Sequence, residues 1–299
     1  MVHQPPESGR RASADCGRLP AAAGRVTAAF GPYRVALHLP PDTDSGRSGW
    51  VDPPGLPADL ELRVTLAPGP GHEALVFQQF DTSGYRFETK STRTEVRWDD
   101  HGVGQGHVTL DGASDPLLRV NAVLEALLGA GYAEVLRRGG ALLHATTLWL
   151  QGRAHVVAGH SGAGKSTLAA RFADRYLHDE HAFLVPGPTG WQIWRHAELR
   201  GPRDERPWVL DLATLSHLGP DRSRTARTPM PNREHFPAIL RHTYFAGGAA
   251  LDRVLAGCAA LVREVPPQTL SHCLAEPDAA VEGVLARDPD LLAAKGVPP

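Results

Sequence analysis

The chain has 299 residues, 42% hydrophobic and 21% charged, which is enough apolar material for a sizeable buried core and excludes an intrinsically disordered chain. Its 31 basic residues nearly cancel 33 acidic ones, giving a formal charge of −2 and no basic footprint of a dedicated nucleic-acid binder. No apolar run approaches bilayer length, residues 1–24 lack a secretory core segment, and Cys16, Cys258 and Cys273 are odd in number and far apart. The expectation is a cytoplasmic protein with no membrane or nucleic-acid partner, no disulfide framework and no cysteine zinc site.

Residues 1–24 read as a flexible lead-in. Between 25 and 115, short segments at 33–39, 60–66, 85–87, 95–98 and 107–110 are split by Gly, Pro and Asp clusters. The middle ones alternate apolar and polar residues, the period of a half-buried strand, and predict a small β-rich domain without a catalytic motif. From 116 the period becomes helical: Leu117, Val120, Leu124, Leu127 and Leu128 predict a helix to Arg138 that stops at Gly139-Gly140. Gly129 and Gly131 are candidate points at which it divides in two. A hairpin is expected next, 146–150 and 154–158 around Gln151-Gly152-Arg153.

Gly159-His160-Ser161-Gly162-Ala163-Gly164-Lys165-Ser166 then satisfies every fixed position of G-x-x-x-x-G-K-[ST]. It follows the apolar strand Val156-Val157-Ala158 and opens the apolar helix at Leu168, the context that this motif needs. Glycines let successive amides converge on phosphate oxygens, and the helix start adds positive partial charge. Lys165 would reach the β- and γ-phosphates of ATP and the Ser166 hydroxyl would ligate Mg²⁺, while Thr167 caps or packs. A glycine-rich turn that binds nothing is the competing reading, and the full motif in its strand and helix context argues against it.

Asp179 and Glu180 come 14 residues after Lys165, at the end of the short apolar segment Tyr176-Leu177-His178. A nucleotide enzyme needs carboxylates at that point, one for Mg²⁺ and one to accept a proton from an attacking hydroxyl or water. A solvated acidic turn is the plain alternative. His178 and His181 with Asp179 form a second candidate, a zinc or manganese site, although the spacing fits no strong zinc pattern. His144, one of 15 histidines and beside Ala141-Leu142-Leu143, would by itself be read as a packed core residue.

The combination of Leu143-His144-Ala145, a hairpin, the 159–166 loop and Asp179-Glu180 resembles the catalytic domain of the HPr serine kinase/phosphorylase family, whose superfamily includes ATP-dependent phosphoenolpyruvate carboxykinases. A His stands 15 residues before the first loop glycine there too, and an acidic pair comes after the loop's helix. Ala197-Glu198-Leu199-Arg200-Gly201 is similar to the family's second signature, and 209–219 to the segment next to that signature on its C-terminal side. The resemblance covers about 142–219. It implies an α/β fold in which a P-loop kinase domain with a mixed β-sheet spans 116–299, behind a β-rich domain at 25–115. It further implies Asp179 as the base, His144 adjusting its charge and orientation, Glu180 helping to hold Mg²⁺, and Arg200 neutralising the transferring phosphoryl group. The chain departs from the family in having Glu at the second acid, His160 in place of a loop Asp, and Gly-Pro-Arg-Asp-Glu-Arg-Pro-Trp after Arg200.

Beyond that point, Trp208, Leu212, Leu215 and Leu218 recur at helical spacing, and 221–227 reads as a basic loop. Leu251, Val254, Leu255, Cys258, Leu261 and Val262 predict an amphipathic helix with Cys258 in its core stripe. A strand at 268–273 and a helix at 278–287 close the chain. The expected function is an ATP- and Mg²⁺-dependent kinase acting on a hydroxyl, most simply serine, of a protein, peptide or small molecule. The alternative is a nucleotide-binding regulatory or scaffold module without transfer chemistry. An ATPase of transporter or motor type lacks its L-S-G-G-Q segment here, and the chain is short for a carboxykinase. Homo-oligomerisation is left open.

Overall fold

A computed structural model of the chain describes residues 25–38, 58–67, 76–79, 84–88, 92–99, 104–111, 116–178, 180–196, 207–244 and 250–287. The expected lead-in at 1–24, Cys16, Asp179, Glu198 and Arg200 lie outside the described residues. The chain is a mixed α/β protein with two mixed sheets. It divides into two compact units, one built from residues up to Ala133 and the other chiefly from residues after it. Among the described residues no helix is long and apolar enough to cross a membrane.

The first unit is a seven-stranded sheet of β1 (Arg25–Phe30), β2 (Tyr33–His38), β3 (Leu60–Ala67), β4 (Val76–Gln79), β5 (Gly84–Glu88), β6 (Thr92–Trp98) and β7 (Gly104–Asp111), in the order β1-β2-β3-β7-β6-β5-β4. The β2–β3 and β3–β7 pairs are parallel and the rest antiparallel. In β6, Thr92, Thr94, Val96 and Trp98 are buried while Arg93, Glu95 and Arg97 point away, the two-residue period read from the sequence. Inside, the Trp98 indole N–H donates to the Tyr33 hydroxyl at 3.0 Å, and the Tyr85 and Trp98 rings meet edge to face at 5.8 Å.

Helix α1 (Pro116–Arg137) is continuous, so the two glycines do not divide it. They let the sheet's aromatic rings approach the helix backbone instead. A Cβ at Gly129 would stand 2.5 Å from the Phe87 ring, and one at Gly131 2.8 Å from the Phe30 ring.

The second unit holds a nine-stranded sheet. Its elements are β8 (Ala141–Leu143), β9 (Ala145–Leu150), β10 (Arg153–Ala158), α2 (Lys165–Arg171), β11 (Tyr176–His178), β12 (Ala182–Gly187), β13 (Gly190–Trp194), β14 (Val209–Leu218), β15 (Ala226–Pro229), α3 (Asn232–Leu240), α4 (Ala250–Glu264), β16 (Gln268–Ser271) and α5 (Asp278–Leu285). The strand order is β11-β9-β10-β14-β13-β12-β8, with β16 pairing β14 and β15. Two pairs are parallel, β10–β14 and β14–β16.

The expected β9–β10 hairpin turns through Gln151 and Gly152, both at positive φ (51° and 77°), the geometry whose twist matches paired strands. Glu134, fully buried at the end of α1, accepts charge-assisted bonds from Arg137 (2.7 Å) and Arg138 (2.5 Å), and Arg138 also lies over the Trp194 ring at 5.0 Å.

One expectation is corrected here. The helical spacing of Trp208, Leu212, Leu215 and Leu218 belongs to no helix, because 209–218 is the strand β14. Toward its C-terminal end the strand is flanked on both sides and buried on both faces, so its apolar residues lose the period of two that marks a half-exposed strand. The predicted basic loop also ends early, since 226–229 forms β15, and α3 arises where no helix was expected.

Candidate nucleotide site

The loop between β10 and α2 begins at the carboxyl end of a parallel strand pair, the crevice at which open α/β sheets place ligands. Gly162 and Gly164 have φ of 75° and 102°, a backbone region that side-chain-bearing residues rarely adopt. Gly159 is pressed on the end of β14: a Cβ there would stand 3.0 Å from the Cβ of Leu218. The loop is closed internally by the Ala163 amide donating to the His160 carbonyl (3.0 Å) and the Leu168 amide to the Gly164 carbonyl (2.9 Å). Below it, Leu168 of α2 and Phe172, which caps that helix, pack with Leu148, Leu150, Val157, Leu218, Leu270 and two residues of α5, which fixes the helix on the sheet.

Lys165 is 6% exposed, and its ammonium donates to the carbonyls of Gly159 (2.8 Å) and His160 (3.3 Å), so its charge is held over the loop. Ser166 and Thr167 are exposed on the first turn of α2, as is Ser161 in the loop. Arg222, from the run that the sequence marked as basic, donates to Gly219 O at 2.6 Å and to Ala163 O at 2.5 Å and so braces the loop from β14.

His144 lies between β8 and β9, half-buried, with Nδ1 3.2 Å from the Tyr244 hydroxyl. That hydroxyl donates to the Glu180 carbonyl at 3.1 Å. Burial, and secondarily the Glu180 charge, raise the Tyr244 hydroxyl above the usual phenol value. The segment after α3 is held here by its backbone: the His144 amide donates to His242 O at 2.6 Å and Leu143 bridges Thr243. The sequence reading missed Tyr244 and His242. They reach the site across about a hundred residues of chain, and no local pattern announces them.

Around the loop stands a group of histidines. The His160 ring is 5.7 Å from that of His217 and 5.5 Å from that of His242, and the last two are 5.2 Å apart. On the other side, His178 stacks on His196 at 4.2 Å and His181 on Tyr244 at 5.1 Å. Among the described residues no group of three His, Cys, Asp or Glu side chains is placed to hold a metal ion. Burial, then His217, His160 and Lys165 push His242 down to about 3. Burial, then His160 and Arg241, lower His217. His155, behind the loop and bonded to Thr214 Oγ1 at 3.0 Å, is pushed down to about 4, first by burial and then by Arg227.

His144, the loop residues 159–167 and Glu180 therefore all belong to the second unit. His242 links them electrostatically, since both Lys165 and His144 act on it. Cys258 is a buried free thiol, packed against Thr243 as its stripe implied, and Cys273 is also free. No protein-family model and no curated protein matches this chain.

Proposed function

We propose that this chain binds Mg²⁺-ATP in the 159–166 loop and transfers the γ-phosphoryl group to a hydroxyl, serine being the simplest acceptor, as an HPr-kinase-like phosphotransferase with a P-loop kinase fold. One observation carries the reading: a lysine ammonium is buried over a loop with two left-handed glycines, at the carboxyl end of the parallel pair β10–β14. The amides of Gly162, Gly164 and Lys165 would take the phosphate oxygens. Lys165 would exchange two carbonyls for the β- and γ-oxygens, a stronger pairing because both partners are ionised.

Mg²⁺ prefers hard oxygen donors and keeps several waters, and the exposed Ser166 hydroxyl and Glu180 carboxylate are donors of that kind. When bound, the ion would neutralise charge on the β- and γ-phosphates. Asp179, next to Glu180 in the chain, is the proposed acceptor of the hydroxyl proton. His144, tied through Tyr244 to the Glu180 carbonyl, is its proposed positioning residue. Arg200 is the proposed charge-neutralising group.

The test is transfer of radiolabel from γ-labelled ATP to the components of a cell extract, alongside calorimetric ATP binding. Wild type should label at least one hydroxyl acceptor. Asp179→Asn should abolish labelling while ATP affinity changes less than about threefold, and Lys165→Ala should weaken binding itself by at least roughly tenfold. Unchanged affinity in Lys165→Ala defeats the cradle. Wild-type turnover in Asp179→Asn defeats the base. Binding with no acceptor labelled leaves the regulatory nucleotide-binding module.

A further inference from the structure

Side chains near the carboxyl end of a strand parallel to the phosphate-loop strand border the crevice in which such sheets place ligands. In this chain that strand is β14, and His217 is its register partner to Ala158, the last residue of β10. His242 comes to the same place from the end of α3, and His160 from the loop itself, with the three rings 5.2, 5.5 and 5.7 Å apart. The Nε2 atoms of His217 and His242 are buried and have no hydrogen-bond partner. A buried polar atom without a partner is costly, and a site that keeps two of them side by side is short of a ligand.

We propose that His217 and His242, with His160, form an imidazole subsite that receives the terminal phosphoryl group of the nucleoside triphosphate. The subsite rests on the nucleotide reading above and adds to it the residues that distinguish a triphosphate from a diphosphate. The groups facing the pair are His160 from the loop, Lys165 from α2, His144 from the β8–β9 junction and Arg241 from the end of α3. Every one of these is cationic or able to become so, and among the described residues no carboxylate acts on either ring. The surroundings therefore call for an anion. Near pH 7 both rings are neutral, lowered first by burial and then by those neighbours. Each then carries one N–H, and with the hydrogen on Nε2 both unpartnered atoms become donors to phosphoryl oxygens. Lys165 addresses the oxygens between the β- and γ-phosphorus atoms, so the imidazoles beside it meet the group beyond them.

Calorimetry with Mg²⁺-ATP and Mg²⁺-ADP on the full chain tests this, using wild type, the double variant His217→Asn/His242→Gln, and Lys165→Ala. Wild type should prefer ATP. The double variant should lose roughly tenfold in ATP affinity, with ADP affinity changed less than about twofold, whereas Lys165→Ala should weaken both nucleotides. A double variant that keeps the wild-type ATP-to-ADP ratio, while Lys165→Ala binds poorly, overturns the subsite and leaves the loop standing. A Lys165→Ala protein that binds like wild type overturns the nucleotide reading itself. Should the double variant fail to fold, proton NMR of wild type decides. At least two imidazole C2–H resonances that titrate below the usual histidine value should shift with ATP and stay in place with ADP. Resonances indifferent to both nucleotides, or equally sensitive to them, contradict the proposal.

Discussion

The two sheets differ in the charged and titratable groups they bury. In the first unit, charged side chains of β5 and β6 pair across neighbouring strands, Arg86 with Glu95 at 2.7 Å and Arg93 with Glu88 at 2.5 Å, while the other face buries Tyr85, Val96 and Trp98. In the second, Lys165, His155, His178, His196, His242 and His272 are all buried, and the imidazoles of His217 and His242 keep a nitrogen unpartnered. Pairs of the first kind, partly open to water, contribute little stability each and suit a scaffold. Groups of the second kind cost stability and persist where chemistry uses them.

That contrast is open to direct attack, and the largest effect should come from the scaffold. A Cβ at Gly106 would stand 2.2 Å from the Glu95 carbonyl and 2.5 Å from Leu62, so Gly106→Val should cost the first sheet about 3 kcal/mol. Thermal unfolding should show an earlier transition, with ATP affinity at 20–25 °C unaltered. Lost ATP binding in the folded variant would mean that the two units are not functionally separable.

Next in size is acid sensitivity. His155 and His242 titrate near 4 and 3 when folded, against 6.5 when unfolded, so the unfolded chain binds protons that the folded chain refuses. Their contribution is constant above about pH 6.5 and is lost as pH falls from there toward 4 and 3. For His155, 2% exposed, the loss by pH 5 should be about 2 kcal/mol, read as a fall in urea midpoint relative to pH 7. His155→Gln should show a shallower fall. Identical slopes in both proteins would remove His155 from the account.

The smallest effect is expected at the brace. Arg222→Ala removes two donors to the carbonyls of Gly219 and Ala163 from a largely exposed position, and should lower ATP affinity about two- to fivefold without changing the melting point. Arg222→Lys should restore only part of it, because an ammonium lacks the planar fork. A tenfold or larger loss would move Arg222 from brace to phosphate ligand.

Legibility in the sequence divides along the same line, between local and assembled features. The 159–166 loop could be read because its motif is eight consecutive residues, and Gly164, which the motif fixes, takes a left-handed conformation, as does Gly162. The hairpin before it, α1 and α4 were legible from period and turn residues. β14 was not, since a strand buried on both faces loses the alternation that distinguishes strand from helix. His217 was hidden by that misreading. His242 and Tyr244 carry no local signal, and long-range backbone pairing of 242–244 with 142–144 brings them beside His144. Arg222 lay within a run marked as basic, but its partner Ala163 is 59 residues away in the chain.

The central claim is that the 159–166 loop grips a triphosphate, and a crystal structure with Mg²⁺ and a non-hydrolysable ATP analogue tests it most directly. The account predicts β-phosphate oxygens within about 3 Å of the amides of Gly162, Gly164 and Lys165, with the Lys165 ammonium turned from Gly159 O onto the phosphates. An analogue bound elsewhere, with Lys165 still seated on its two carbonyls, would contradict it.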